Sequence, residues 1–172
     1  MKPVLAFVLT AWVVIGGAFA STALGQKPFI SQEGGFSVQL PAAPTVADAD
    51  VGPGARQRQY TVDRGNCAIV VSYQDNPGLA DADEASLDNA LKVGQNALEK
   101  AFQGKVIEQK AVKLNEKYAG REIAVTIPAA KGLCRGRLFL VRGRLYQLLV
   151  VGEPEAVQRE AGPVFESFTL TK

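Results

Sequence analysis

The sequence predicts an α+β fold: a largely antiparallel sheet of about six to seven strands, with a long central helix and a short C-terminal helix packed on it as an α-β-α sandwich. Three observations predict it. Period-two apolar runs recur along the chain and are joined by short turn signals, the pattern of antiparallel hairpins. One long stretch, Asp83 to Phe102, instead places its apolar residues three and four apart. The run from Cys134 to Gly152 becomes apolar on both faces once folded back at Arg142-Gly143, so it needs cover on both sides.

The elements follow in order. Phe36, Val38 and Leu40 share one face of a first short strand within Gly34–Pro41, which Pro41 ends. Residues 41–55 hold Pro41, Pro44, Gly52, Pro53 and Gly54 with few large apolar groups and read as a loop. Gln57–Val62, the turn Asp63-Arg64-Gly65-Asn66 and Cys67–Tyr73 form a hairpin. In the helix, Leu87, Leu91, Leu98 and Phe102 lie on one apolar stripe with intervening alanines. Acidic residues crowd its start, where they suit the helix dipole, and Gly104 is placed to stop it. Val106–Leu114, well solvated through Glu108, Lys110 and Lys113, and Arg121–Ile127 follow as strands, and residues 128–132 as a loop.

In the last hairpin, a two-residue turn at Arg142-Gly143 sets Val141 opposite Arg144. Leu140 with Leu145, Leu138 with Gln147 and Cys134 with Val151 then fall on one face, and Phe139 with Tyr146, Arg137 with Leu148 and Arg135 with Val150 on the other. This hairpin is expected at the centre of the sheet. The C-terminal helix, carrying Val157, Ala161, Val164, Phe165 and Phe168, is expected to be short, kinked or split at Gly162-Pro163. The predicted order is β-β-β-α-β-β-β-β-α.

Lys2, the apolar run Val4–Ala20 and the small-residue site Ala18-Phe19-Ala20, with a second at Ala23-Leu24-Gly25, make a secretory signal-peptide pattern over residues 1–25. An uncleaved signal anchor is the competing reading, since about 17 apolar residues is the lower limit for crossing a bilayer. Either way, residues 26–172 are expected to be a single exported domain, periplasmic or extracellular, held at the membrane only if the N-terminal segment is uncleaved. In that compartment Cys67 and Cys134 have two readings. They either bridge, which would stabilise by about 4 kcal/mol in the chain-entropy model, or stay as two buried thiols behaving as small apolar residues.

Composition excludes several function classes. The 172-residue chain has no histidine, which removes Ser-His-Asp and Cys-His catalysis and H-E-x-x-H zinc sites. Lys2 is the only charged residue among the first 25, so 18 of the 19 basic residues remain against 17 acidic ones. A nearly neutral domain gives no electrostatic reason to bind nucleic acid. There is no phosphate-binding G-x-x-x-x-G-K-[ST], no G-x-S-x-G and no S-x-x-K, and no cofactor is expected.

Glu33–Pro41 (E-G-G-F-S-V-Q-L-P), Ile69–Asp75 (I-V-V-S-Y-Q-D), Tyr118–Ile123 (Y-A-G-R-E-I), Arg144–Gly152 (R-L-Y-Q-L-L-V-V-G) and the closing F-E-S-F-T-L are similar to segments of exported bacterial PsbP- and DcrB-like domains. The resemblance covers nearly all of residues 29–172 and lies in strand and turn signatures. It implies an α-β-α sandwich and an accessory, assembly or envelope role. It supplies no catalytic residues.

Two constellations are candidates for binding. Asp81, Asp83 and Glu84, with Asp88 beyond them, could offer oxygen ligands to a divalent cation, although the glycine and distal glutamate of an EF-hand loop are missing. Arg135 and Arg137, on one face beside Tyr146, could hold a carboxylate or phosphate. Each set also has a purely structural reading, as a helix start satisfied by carboxylates and as arginines paired with local acids. The loops at 41–55, 74–83 and 128–133 are expected to offer better binding surfaces than the central hairpin. The expected function is a non-enzymatic accessory domain that binds another envelope protein, the alternative being a small-ligand or divalent-metal binding module.

Overall fold

A computed structural model describes residues 27–52 and 55–171. The expected signal peptide lies outside the described residues. The described chain forms ten strands and two helices. These are β1 (Phe29–Ser31), β2 (Phe36–Val38), β3 (Thr45–Gly52), β4 (Ala55–Asp63), β5 (Cys67–Asp75), α1 (Glu84–Phe102), β6 (Val106–Leu114), β7 (Tyr118–Ile127), β8 (Gly132–Val141), β9 (Arg144–Gly152), α2 (Pro154–Ser167) and β10 (Thr169–Leu170).

Seven strands make one antiparallel sheet in the order β3-β4-β5-β9-β8-β7-β6, and β1-β2-β10 form a small second sheet. The large sheet is two meanders of consecutive hairpins, β3 to β5 and β6 to β9, joined along a single β5–β9 seam. The predicted α+β sandwich is therefore the fold, with the β8–β9 hairpin at its centre. Arg142 (φ 48°) and Gly143 (φ 80°) both take left-handed conformations, as a two-residue turn with this twist requires. The register runs as the sequence predicts, Val141 opposite Arg144 through to Cys134 opposite Val151.

Each face of that hairpin closes a separate core. Leu138, Leu140, Leu145 and Cys134 pack with Leu91 and Leu98 of α1. The helix comes close at Gly94, where a Cβ would lie 3.3 Å from Leu138 Cδ1. On the other face, Phe139, Tyr146, Leu148 and Val150 pack with Val157, Ala161 and Phe165 of α2 and with Phe36 and Val38 of the small sheet. Aromatic rings stitch the small sheet on: Phe36 meets Tyr146 edge-on at 6.1 Å and Phe168 at 5.4 Å, contacts worth about 0.5–1.5 kcal/mol each.

The structure corrects four local expectations. Residues 45–52, expected within a loop, form β3. Its ladder carries cross-strand charge pairs: Asp48 faces Arg58 and Asp50 faces Arg56, and Arg58 Nε donates to Asp48 at 2.8 Å. The helix stop is Gln103, left-handed at φ 48°. Gly104 is needed for space instead, since a Cβ there would sit 1.7 Å from the Thr126 carbonyl oxygen. α2 runs on through Pro163 as one 14-residue helix; the carbonyl that loses its partner belongs to exposed Arg159, where solvent can replace the bond. Finally, Cys67 and Cys134 are both buried free thiols. They lie on opposite faces of the sheet with β9 between their strands. Two strand spacings are roughly 9–10 Å, beyond the reach of a disulfide, so the bridge is not formed.

Candidate functional site

The expected site residues are placed in three different ways. Asp81, Asp83 and Glu84 do not converge, and among the described residues no three His, Cys, Asp or Glu side chains gather around a possible cation. Asp83 is the N-cap of α1: its Oδ1 accepts from the Ser86 backbone N–H at 2.8 Å, and hydrogen bonding from Ser86, first from its side chain and then from its backbone, holds the carboxyl below the usual range. Glu84 lies in the first turn, where its charge suits the dipole. Asp88 points to the sheet and pairs with Arg121, whose Nη1 also donates to Gln95 Oε1 at 3.1 Å. The acidic helix start caps and anchors α1.

Tyr146 is also structural. It is 4 % exposed, and its hydroxyl donates to the Gly34 carbonyl at 2.7 Å. Arg144 completes this clamp. It grips Asp75 through Nε at 2.6 Å and Nη2 at 2.9 Å, and donates to the Glu33 and Gly34 carbonyls. Its guanidinium lies over the Tyr73 ring, 4.6 Å from the centroid. Burial pushes the Tyr73 phenol up to about 12. The Glu33-Gly34-Gly35-Phe36 signature is therefore the turn that this clamp holds against the main sheet. Gly34 fits there because a Cβ would lie 2.5 Å from the Phe36 ring.

Arg135 and Arg137 lie together, joined by Glu122, a residue outside both expected constellations. Lys110 on β6, Glu122 on β7 and Arg137 on β8 stand directly opposite one another across three strands. Glu122 is 4 % exposed. Its Oε1 accepts from Arg135 Nη2 at 2.6 Å and lies 3.3 Å from Lys110 Nζ; its Oε2 accepts from Arg137 Nε at 2.6 Å. Arg137 is steadied further by the Phe165 ring of α2, 5.0 Å from its guanidinium. Burial pushes the Glu122 carboxyl up, but the hydrogen bonds and charges of Arg137 and Lys110 outweigh it, and the group is held below the usual range.

One carboxylate thus serves three cations. A cleft of about 440 Å³ opens beside them, lined by Ile107, Glu108, Lys110, Glu122 and Arg135 among others. Arg135 Nε is buried, with no acceptor among the described residues. The cleft runs along β6, the edge strand of the sheet, and lies at none of the three loops expected to offer a surface. Chemically, it presents fixed hydrogen-bond donors to an anion. Burial also pushes up both thiols, Cys134 to about 12, which leaves them protonated and unreactive near neutral pH.

The fold is of the PsbP-like α+β class. The chain is similar to the solution structure of cyanobacterial PsbP (CyanoP) from Synechocystis sp. PCC 6803, with a TM-score of 0.57 and 14 % identity over 90 % of this chain and 98 % of that one. No protein-family model matches the sequence, and no curated protein does either.

Proposed function

We propose that this chain is a non-enzymatic exported accessory domain of the cell envelope that works by binding another envelope protein. The observation that carries the reading is the cleft along β6: a set of cationic donors, fixed by a buried carboxylate, stands beside an unpaired sheet edge. Such an edge suits an extended protein segment, because backbone groups add affinity and side-chain pockets add selectivity. The role fits the accessory function that the sequence resemblance implies, and the fold likeness is compatible with it. Of the other candidate residues, Asp83 serves as a helix cap and Tyr146 as a turn clamp.

Affinity capture from the envelope fraction of the source cells tests this, with the folded domain as bait. The expected result is a discrete protein retained at low salt and released as salt rises, since partly exposed charges are screened. Capture of nothing by folded bait would remove the reading. A small-anion module is the second reading, favoured by the buried Arg135 Nε that lacks an acceptor. Citrate or phosphate that binds the native state would raise the unfolding midpoint.

A further inference from the structure

We infer that the β6 cleft receives an extended acidic segment of the partner, laid along β6 with one carboxylate beside Lys110 and Arg135. The inference deepens the interaction reading above and rests on it.

Four observations point to a carboxylate-bearing strand. First, the charges do not balance. Both Glu122 oxygens are already engaged, Oε1 by Arg135 and Lys110 and Oε2 by Arg137. Even with Glu108, which also lines the cleft, three cations meet two carboxylates. Second, the donors are held in place. Glu122 fixes Arg135 from below, so an incoming anion meets a guanidinium whose ordering is already complete, which is where preorganisation adds affinity. Lys110, paired with Glu122 at 3.3 Å, keeps most of its side chain in solvent, 61 % exposed, where a ligand can reach it. Third, the cleft follows the strand: Ile107, Glu108, Gln109 and Lys110 are consecutive in β6 and all line it. Among the described residues β6 has a neighbour on one side only, so part of its backbone N–H and C=O set points away from the sheet. Fourth, the β6–β7 pairing is irregular between Val106 and Glu108, and Ile107 there is 58 % exposed, an apolar contact at one end of the groove. Glu108 sets the register by repulsion: an incoming carboxylate is accepted beside Lys110 and Arg135 and refused one step along.

The test uses the full chain and a fluorescently labelled threonine-rich peptide with one central Glu, compared with the same peptide carrying Gln in that place. The Glu peptide should bind at least about tenfold more tightly, a difference of about 1.4 kcal/mol. Lys110→Gln and Arg135→Gln should each weaken it about tenfold, while Lys92→Gln on α1 leaves it unchanged. N-methylation of alternate peptide nitrogens should abolish binding if the segment adds as a strand. Unfolding midpoints of the variants show whether they remain folded, and exposed Lys110 is the substitution least able to disturb the core. Three outcomes would overturn the inference: a Glu peptide that binds the double variant Lys110→Gln/Arg135→Gln as well as the parent, displacement by acetate or phosphate as effective as by peptide, or no peptide binding at all. In the last two cases β6 lysines only guard an edge against self-association or hold a free anion. Failure here is separable from failure of the interaction reading. If affinity capture recovers a partner that the double variant retains equally, the interaction stands and this site falls.

Discussion

Glu122 and Gln147 are both buried polar side chains of the large sheet, 4 % and 1 % exposed, and they are treated in opposite ways. Glu122, on β7 facing α2, is charged and has cationic partners on both oxygens. Gln147, on β9 facing the α1 side, is neutral, and neither its Nε2 nor its Oε1 has a partner among the described residues. The difference follows from solvation. An ionised carboxylate cannot be buried alone without a desolvation penalty of several kcal/mol, so its position demands partners. An unpaired amide costs about 1–3 kcal/mol, which a domain can tolerate. Gln147 stands opposite Ser72 in a row of uncharged polar side chains with Gln57 and Gln74 nearby, where Gln57 Nε2 donates to Ser72 Oγ at 2.9 Å. The β6–β8 side of the sheet thus sets charge at an open cleft, and the region of the β5–β9 seam buries neutral polarity.

The largest expected effect is at Glu122. Glu122→Gln removes the anion under three cations and should lower stability by about 3 kcal/mol in urea unfolding, toward the lower end of the range because the arginines keep some solvent contact. A loss under about 1 kcal/mol would mean that the pairing holds nothing together. Next comes Gln147→Leu, with the opposite sign: replacing an unpartnered amide by an apolar group of similar size should be neutral or stabilise by about 1 kcal/mol. Because the two residues face opposite layers, the double variant should be additive within about 0.5 kcal/mol.

A smaller effect should appear with pH. The folded Glu122 carboxyl is depressed, so its contribution is fully present above the unfolded glutamate value of about 4.3. It is lost as pH falls through the lower folded value, because the unfolded state takes up the proton first. The stability difference between the parent and Glu122→Gln should shrink below about pH 4; a difference that stayed constant there would show the carboxylate charge to be irrelevant. The smallest effect concerns the thiols, which divide between the same two faces. An added oxidant should shift the unfolding midpoint by less than about 0.5 kcal/mol equivalent, with both thiols recovered free by mass after denaturation. Recovery of an intramolecular bridge would contradict the placement of β9 between the two strands.

The central hairpin was legible because a two-residue turn leaves only one register, and the face assignment of Arg135, Arg137 and Tyr146 followed from it. Strand β3 was not read because Thr45–Gly52 offers few large apolar side chains and is flanked by Pro44 and Pro53. Its signal was present in charge instead: Asp48 and Asp50 alternate with alanine opposite Arg58 and Arg56, a pairing visible only when two segments are compared. The site was half-legible for the same reason. Two arginines on one strand face could be read locally. Glu122 and Lys110 belong to neighbouring strands whose turns place non-glycine residues, Asn115, Glu116 and Lys131, at positive φ, so turn chemistry did not fix their register. Tyr146 sits on the same face as the arginines, yet its hydroxyl is taken up by Gly34, which sequence proximity does not reveal.

The β5–β9 seam has a consequence for how the molecule assembles. Within each meander every ladder joins neighbours in the chain and can form early and independently. The seam joins Cys67–Asp75 to Arg144–Gly152, segments separated by a helix and three strands, so it closes the longest loop of any ladder in the large sheet and carries its largest loop-closure penalty. It also brings Asp75 to Arg144 and leaves Tyr146 able to reach Gly34. The zipper that completes the sheet is thus the same event that latches the small sheet onto it, and the groove along β6, built within the second meander, needs neither.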